Sequence, residues 1–233
     1  MKQRLFEFFT VFIDNISQRK NILLIKNYIG KDLNVFFDVG SHKCESIEIF
    51  NKYFSIKQIY AFEANSDLIQ KIDKLKYPNT IFTTKGIGER NQKKKFFQSN
   101  FTAISSFNNF QYDSKYSKFK ERVLSIFYPK QKNLEKLVDI ISLDYFCKKN
   151  KIKYIDILKI DTEGYELNVL KGLKQSIKNV KIILFEHHYD NSLNKEYKFK
   201  DINTLLKKNG FRRFAKNKML FRKIFEYIYI NTK

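Results

Sequence analysis

Four polar clusters close apolar runs in this chain, and their residue types suit binding and proton transfer. Asp38-Val39-Gly40-Ser41 follows Val35-Phe36-Phe37, and Glu63 follows the run from Gln58 to Phe62. Asp161-Thr162-Glu163-Gly164 follows Tyr154 to Ile160, and Glu186-His187-His188 follows Lys181 to Phe185. Each reads as a buried strand with a polar end facing whatever lies above a sheet. The glycine turn after Asp38 leads into Ile47, Phe50 and Phe54 at helical spacing, which is how a nucleotide-binding βαβ unit begins. Glu63 then ends the second strand, where an acid accepts hydrogen bonds from a ribose diol and disfavours a 2′-phosphate. The plain alternative is that Asp38 and Glu63 only cap the helices that follow them.

Asp161 and Glu163 end the fourth core strand, beside the point where strand order reverses and ligands bind. They could orient a hydroxyl, act as its base, or join Glu186 around a divalent cation, although no metal is assigned. Helix N-terminal electrostatics is the other account of them, and it covers Glu166 as well. An imidazole titrating near neutrality suits removal of a hydroxyl proton, so His187 is expected to be the base because it directly follows Glu186. Histidines at a strand end also serve as hydrogen-bonded structure, and His42 in the first turn is expected to make only a loop contact.

Periodicity sets the elements that must carry these clusters. Leu5, Phe8, Phe9, Phe12, Ile13 and Ile16 fall on one face of a helix over residues 3–17, and a second short helix is expected over 21–29. The first packs on the main domain or lies at a membrane interface, a role helped by Lys2, Arg4, Arg19 and Lys20 and opposed by its acids. Ser66 or Asp67 is expected to cap the helix after Glu63, a third strand spans 80–84, Gly86 to Glu89 is a turn, and 93–97 is a short strand. Residues 100–134 carry no strong period and are expected to be an insertion or mobile lid. A strand at 137–141 and a helix at 143–149 follow, then the two strands that end in the acid and histidine clusters. Gly210 stops a helix containing Ile202, Leu205 and Leu206, and two aromatic segments, 211–221 and 225–230, form a terminal hairpin. One domain is expected, residues 31–233, behind a helical extension of residues 1–30.

The net charge of +21, from 45 basic and 24 acidic residues, raises the possibility of a polyanionic partner. Most of the basic residues are lysines spread along the whole chain, without the arginine clustering that bidentate phosphate contacts favour. Nucleic acid is therefore disfavoured as a partner. Cys44 and Cys147 have no C-x-x-C spacing, no secretory signal is visible, and no apolar run spans a bilayer. A cytoplasmic location is expected, and the sequence sets no oligomeric state.

Taken together, F-F-D-V-G-S-H-K at 36–43, Y-A-F-E-A-N at 60–65, L-K-I-D-T-E-G-Y-E-L-N-V-L-K-G at 158–172 and I-L-F-E-H-H at 183–188 resemble the FkbM family of S-adenosylmethionine-dependent methyltransferases. The resemblance covers residues 34–230 and implies an α/β fold: a class I methyltransferase Rossmann-like domain, with a seven-stranded, mostly parallel sheet, an antiparallel terminal hairpin and helices on both faces. It implies S-adenosyl-L-methionine as cofactor, bound by Asp38, Gly40, Ser41, Glu63 and Ala64. It also implies transfer to a hydroxyl of a sugar, glycan or related small molecule, with His187, Asp161 and Glu163 catalytic and Glu186 and His188 on the substrate. Such motifs usually have a second glycine where this chain has Cys44, whose side chain is expected to crowd the methionine moiety. An RNA or DNA methyltransferase and a non-catalytic binding protein of this fold are the alternatives. A NAD-dependent dehydrogenase fits less well, because only one glycine of G-x-G-x-x-G is present.

Overall fold

The computed structural model describes residues 2–99, 101–109, 115–128, 134–190 and 193–233, and of Arg4 and Phe12 only the backbone. The chain opens with one helix, α1 (Lys2–Ile29), rather than the two expected. Nothing between its ends is Gly or Pro, so the helix runs unbroken until Gly30, at φ +83, closes it with a bond from its N–H to the Lys26 carbonyl.

The main sheet uses β1 (Asp32–Val39), β2 (Ser55–Phe62) and β3 (Thr80–Thr83), with α2 (Glu45–Tyr53) and α3 (Ser66–Lys71) between them. Asn65, and neither Ser66 nor Asp67, caps α3, accepting from the Asp67 N–H at 3.2 Å. The chain then leaves this sheet. Gly86 and Ile87, expected as a turn, form strand β4 (Gly86–Ile87), which pairs in parallel with β6 (Leu134–Ile141), and β5 (Gln92–Gln98) runs antiparallel to β6 in the same small sheet. The described part of the insertion between β5 and β6 holds α4 (Lys115–Phe127), so it is not a structureless loop. Residues 100, 110–114 and 129–133 of that expected lid lie outside the described residues.

After α5 (Leu143–Lys149) the chain returns through β7 (Ile155–Ile160), α6 (Glu166–Lys171), β8 (Val180–His188), α7 (Phe199–Lys208), β9 (Phe211–Lys218) and β10 (Ile224–Asn231). The seven strands lie in the order β3-β2-β1-β7-β8-β10-β9, all parallel from β3 to β8, with β10 antiparallel to both of its neighbours. The chain moves outward from β1 in one direction and resumes at β7 in the other. Their carboxyl ends therefore border the crevice where such sheets take ligands.

Alternation along the central strands separates two cores. Phe36, Ile157, Ile182, Leu184 and Ile228 face α1 and α2, where Ile22, Ile25, Ile47 and Phe50 cover them. Phe37, Leu158, Ile160, Ile183 and Phe185 face α5, α6 and α7. Both faces are buried, which explains the nearly continuous apolar runs in the sequence. Following the first face toward the strand ends, the apolar series gives way to Asp38, Lys159, Asp161, Glu186, His188 and Glu226. Among the described residues no helix is long and apolar enough to cross a membrane.

The close approach of β1 and β7 depends on one glycine. Gly40 has φ +84, and a Cβ placed there would stand 1.8 Å from the Asp161 carbonyl oxygen. Gly40→Ala should cost about 1–2 kcal/mol in left-handed strain alone, with further loss as the end of β7 is pushed away. Urea unfolding should show a lower midpoint; an unchanged midpoint would contradict this packing.

Candidate active site

Gly40 turns the chain over the sheet, and its N–H and that of Ser41 both donate to the Phe62 carbonyl, at 2.8 and 3.1 Å. This joins the ends of β1 and β2. Glu63 sits just beyond, its two carboxylate oxygens accepting the His42 N–H at 2.9 Å and the Asn65 N–H at 2.8 Å. Each oxygen keeps a lone pair for a further donor. Burial raises the Glu63 pKa while the two amides oppose the rise. Gly40, Ser41, Glu63 and Ala64 all line a cleft of about 620 Å³, a size suited to a small ligand. The buried Ser41 Oγ has no hydrogen-bond partner among the described residues.

Two sequence expectations at this end are corrected. Asp38 does not line the cleft; it is fully buried beneath the floor, its Oδ1 lying 3.7 Å from Lys159 Nζ. Cys44 does not crowd the cleft either. It adopts φ 74, which turns its side chain into the core with Leu33, Phe36 and Ile47. Burial pushes its thiol up to about 12, so it is an inert filler. The backbone does here what the missing glycine would have allowed.

The opposite end is built from Asp161, Thr162, Glu163, Glu186 and His188, all on the cleft wall. The Asp161–Gly164 loop is held from below by Glu166, whose Oε1 accepts from the Thr162 N–H and hydroxyl and from the Gly164 N–H, while Tyr197 donates its hydroxyl to Oε2. Ser106 and Asn108 bind the loop carbonyls of Glu163 and Gly164, both at 2.6 Å. So fixed, Glu163 holds a left-handed φ of 49, and its Oε2 lies 3.3 Å from His188 Nε2. Burial raises the Glu163 carboxyl to about 8 and drives the His188 imidazole well below its ordinary value.

His187, expected as the base, faces away. Successive residues of a strand point to opposite sides, so with Glu186 and His188 in the cleft, His187 is buried on the other face against Tyr189, Tyr197 and Phe199. Burial lowers its imidazole to about 3.

Sequence reasoning missed the charge network below the floor. Lys159, 2% exposed, donates to Asp161 Oδ2 at 3.2 Å. Burial alone would lower its pKa, but Asp161 and Asp38 together raise it above the ordinary value. Glu226 on β10 stands opposite Glu186 on β8, and its Oε2 accepts from Asn21 of α1 at 2.6 Å. Burial is the main reason that Asp38 rises to about 6, Glu226 to about 7, and Glu186 well above the carboxylate range. A signal for these residues was present: Glu226 is the one charge between Ile224 and Ile230, and Lys159 interrupts the apolar run from Ile157 to Ile160. The side wall from α1 was also unforeseen, while that from α4 lies in the segment expected to be an insertion or mobile lid. Thr10, Val11 and Asp14 of α1 face the cleft, as do Tyr116, Lys120 and Val123 of α4. Among the described residues, no group of three or more His, Cys, Asp or Glu is arranged to hold a metal ion.

The sequence profile of the methyltransferase FkbM domain matches residues 38–213. No curated protein is matched by the sequence. Among solved structures, Methyltransferase FkbM from Methylobacillus flagellatus KT aligns at TM-score 0.54 and 13% identity, over 89% of this chain and 47% of that one. The present chain thus spans about half the length of that relative. A magnesium protoporphyrin IX methyltransferase (ChlM) from Synechocystis PCC 6803, solved with bound SAM, aligns at TM-score 0.50 and 11% identity, over 95% of this chain and 81% of that one. At these identities the structural matches speak for the fold.

The network predicts a pH signature. Glu226 rises from an ordinary 4.5 to about 7 when folded, so the folded protein holds this proton more tightly than the unfolded chain. The associated stability is complete below about pH 4.5 and is lost as pH rises through about 7. Glu226→Gln keeps an acceptor for Asn21 and removes that loss. Its stability should match wild type near pH 4 and exceed it by roughly 3 kcal/mol above pH 8, at about 1.4 kcal/mol per pKa unit. Urea titrations at both pH values provide the comparison, and parallel pH profiles for the two proteins would refute it.

Proposed function

The chain belongs to the FkbM methyltransferase family, and from that premise we propose that it transfers a methyl group from S-adenosyl-L-methionine to a hydroxyl of a sugar, glycan or related small molecule. The observation that carries this reading is the facing arrangement of Glu63 and the Asp161/Glu163/His188 group across Gly40, in one cleft. The Glu63 lone pairs left over from the two amides suit a ribose diol, Gly40 offers backbone without a side chain, and Ser41 Oγ awaits a partner. The residues therefore fit the cofactor. When bound, it supplies an electrophilic methyl carbon on a sulfonium centre.

The chain's own task is to position an acceptor oxygen and take its proton as the new bond forms. Asp161, tied by Lys159, is placed to orient the hydroxyl. Glu163, with its carboxyl near 8, is a stronger base than an ordinary carboxylate, and His188, kept neutral by burial, faces it from 3.3 Å.

Titration calorimetry with S-adenosylmethionine should show binding to wild type and about 10–100-fold weaker binding to Glu63→Ala, the range for losing hydrogen bonds to a charged group; absence of heat with wild type would rule out the cofactor. Transfer of labelled methyl into glycan and nucleic-acid fractions should favour glycan. The rate should increase with pH up to about 8, and Glu163→Gln should cut it by ~10²-fold or more and abolish that pH dependence. Unchanged transfer by Glu163→Gln would move the base to Asp161.

A further inference from the structure

We propose that α1 and α4, which flank the mouth of the cleft, form a docking surface for an anionic lipid bilayer. The two helices are joined on their inner sides, where Phe6 stacks on Phe127 at 4.4 Å and Tyr128 donates its hydroxyl to Glu7. Their outer sides carry large apolar groups in water. On α1 these are Leu5, Phe8, Phe9 and Ile16, with Phe8 70% exposed; on α4 they are Phe119 and Ile126, each 64% exposed. Phe221, in the turn between β9 and β10, is 87% exposed, and together with Phe8 and Phe119 it lines the cleft. Isolated exposed apolar residues are ordinary, whereas large exposed apolar groups gathered on three elements that border one cleft mark an interaction surface.

Charge identifies the occupant. Lys115, Phe119, Arg122 and Ile126 follow at steps of four, three and four residues, so cation and apolar group alternate along one exposed stripe of α4. On α1 the exposed Lys2, Arg19 and Lys20 lie at either end of the apolar set. The acids of α1, which in the sequence opposed a membrane role, are turned inward: Glu7 pairs with Lys43 at 2.9 Å and Asp14 with Arg222 at 3.1 Å. On α4 the single acid, Glu121, stands among Lys115, Lys118, Lys120 and Arg122. Apolar side chains flanked by cations, with the two acids of α1 paired on its inner side, match the interfacial zone of an anionic leaflet. On the methyl-transfer reading of the cleft, docking would present the site to acceptors carried on the membrane.

Flotation with vesicles of phosphatidylcholine, alone or mixed with phosphatidylglycerol, tests the surface without cofactor, so failure here is separate from failure of the methyl-transfer reading. The full chain should float with the mixed vesicles and not with phosphatidylcholine alone, and raising salt from about 0.1 to 0.5 M should weaken binding. Phe9→Ser with Ile126→Ser, both outside the cleft, should reduce bound protein roughly tenfold or more. Lys118→Glu with Arg122→Glu should do the same, and circular dichroism should show all variants folded. Equal binding to both vesicle types, or variants that bind like wild type, would overturn the proposal. So would a dimer in vesicle-free solution that Phe9→Ser with Ile126→Ser dissociates, since the face would then belong to a second copy.

Discussion

The Lys159 ammonium under the cleft floor is the interaction on which the rest of the site depends. A buried cation is tolerable only when paired, and here it lies between Asp38 at the end of β1 and Asp161 at the end of β7, with Glu186 and Glu226 beyond. These are the strands between which the sheet reverses direction. The ion cluster thus stands at the carboxyl ends of β1 and β7, under the floor of the cleft. Four carboxyl groups near one ammonium exceed what it can balance. Burial therefore makes several of them harder to ionise, raising Asp38 to about 6 and Glu226 to about 7. Asp161 and Glu186 are the members that reach the cleft, so the network below the floor is joined directly to its wall.

Backbone strain marks the same place. His42, Cys44, Glu163 and Phe221 all have positive φ, as do Gly40 and Gly164, and they border the cleft or the loops that form it. Non-glycine residues keep such conformations only when surrounding contacts hold them. Glu166 supplies those contacts for the Asp161–Gly164 loop, and core packing supplies them for Cys44. The side walls come from elsewhere: α1 reaches the network through Asn21 and Glu226, while α4 lies across from it on the insertion. A terminal helix and the insertion, both outside the main sheet, therefore supply the side walls of the cleft.

The sequence by itself determined the strand–helix alternation, the sheet with its terminal hairpin, and the family. It also placed Gly40, Ser41, Glu63, Ala64, Asp161, Glu163, Glu186 and His188 at strand ends, and all eight line the cleft. Those features are local, since an apolar run with a polar end is written in a few consecutive residues. Only the tertiary structure decided which way each side chain turned. His187 and His188 are equivalent in sequence, but the pleat of β8 sends one into an aromatic pocket and the other to the cleft. Cys44 occupies a glycine-like position, and its left-handed backbone turns the thiol to the core. Lys159 and Glu226 are far apart along the chain, and they join one network because β7, β8 and β10 lie side by side in the sheet. Whether a carboxyl is a base, a ligand or a buried counter-charge depends on its neighbours in space, and sequence order does not record them.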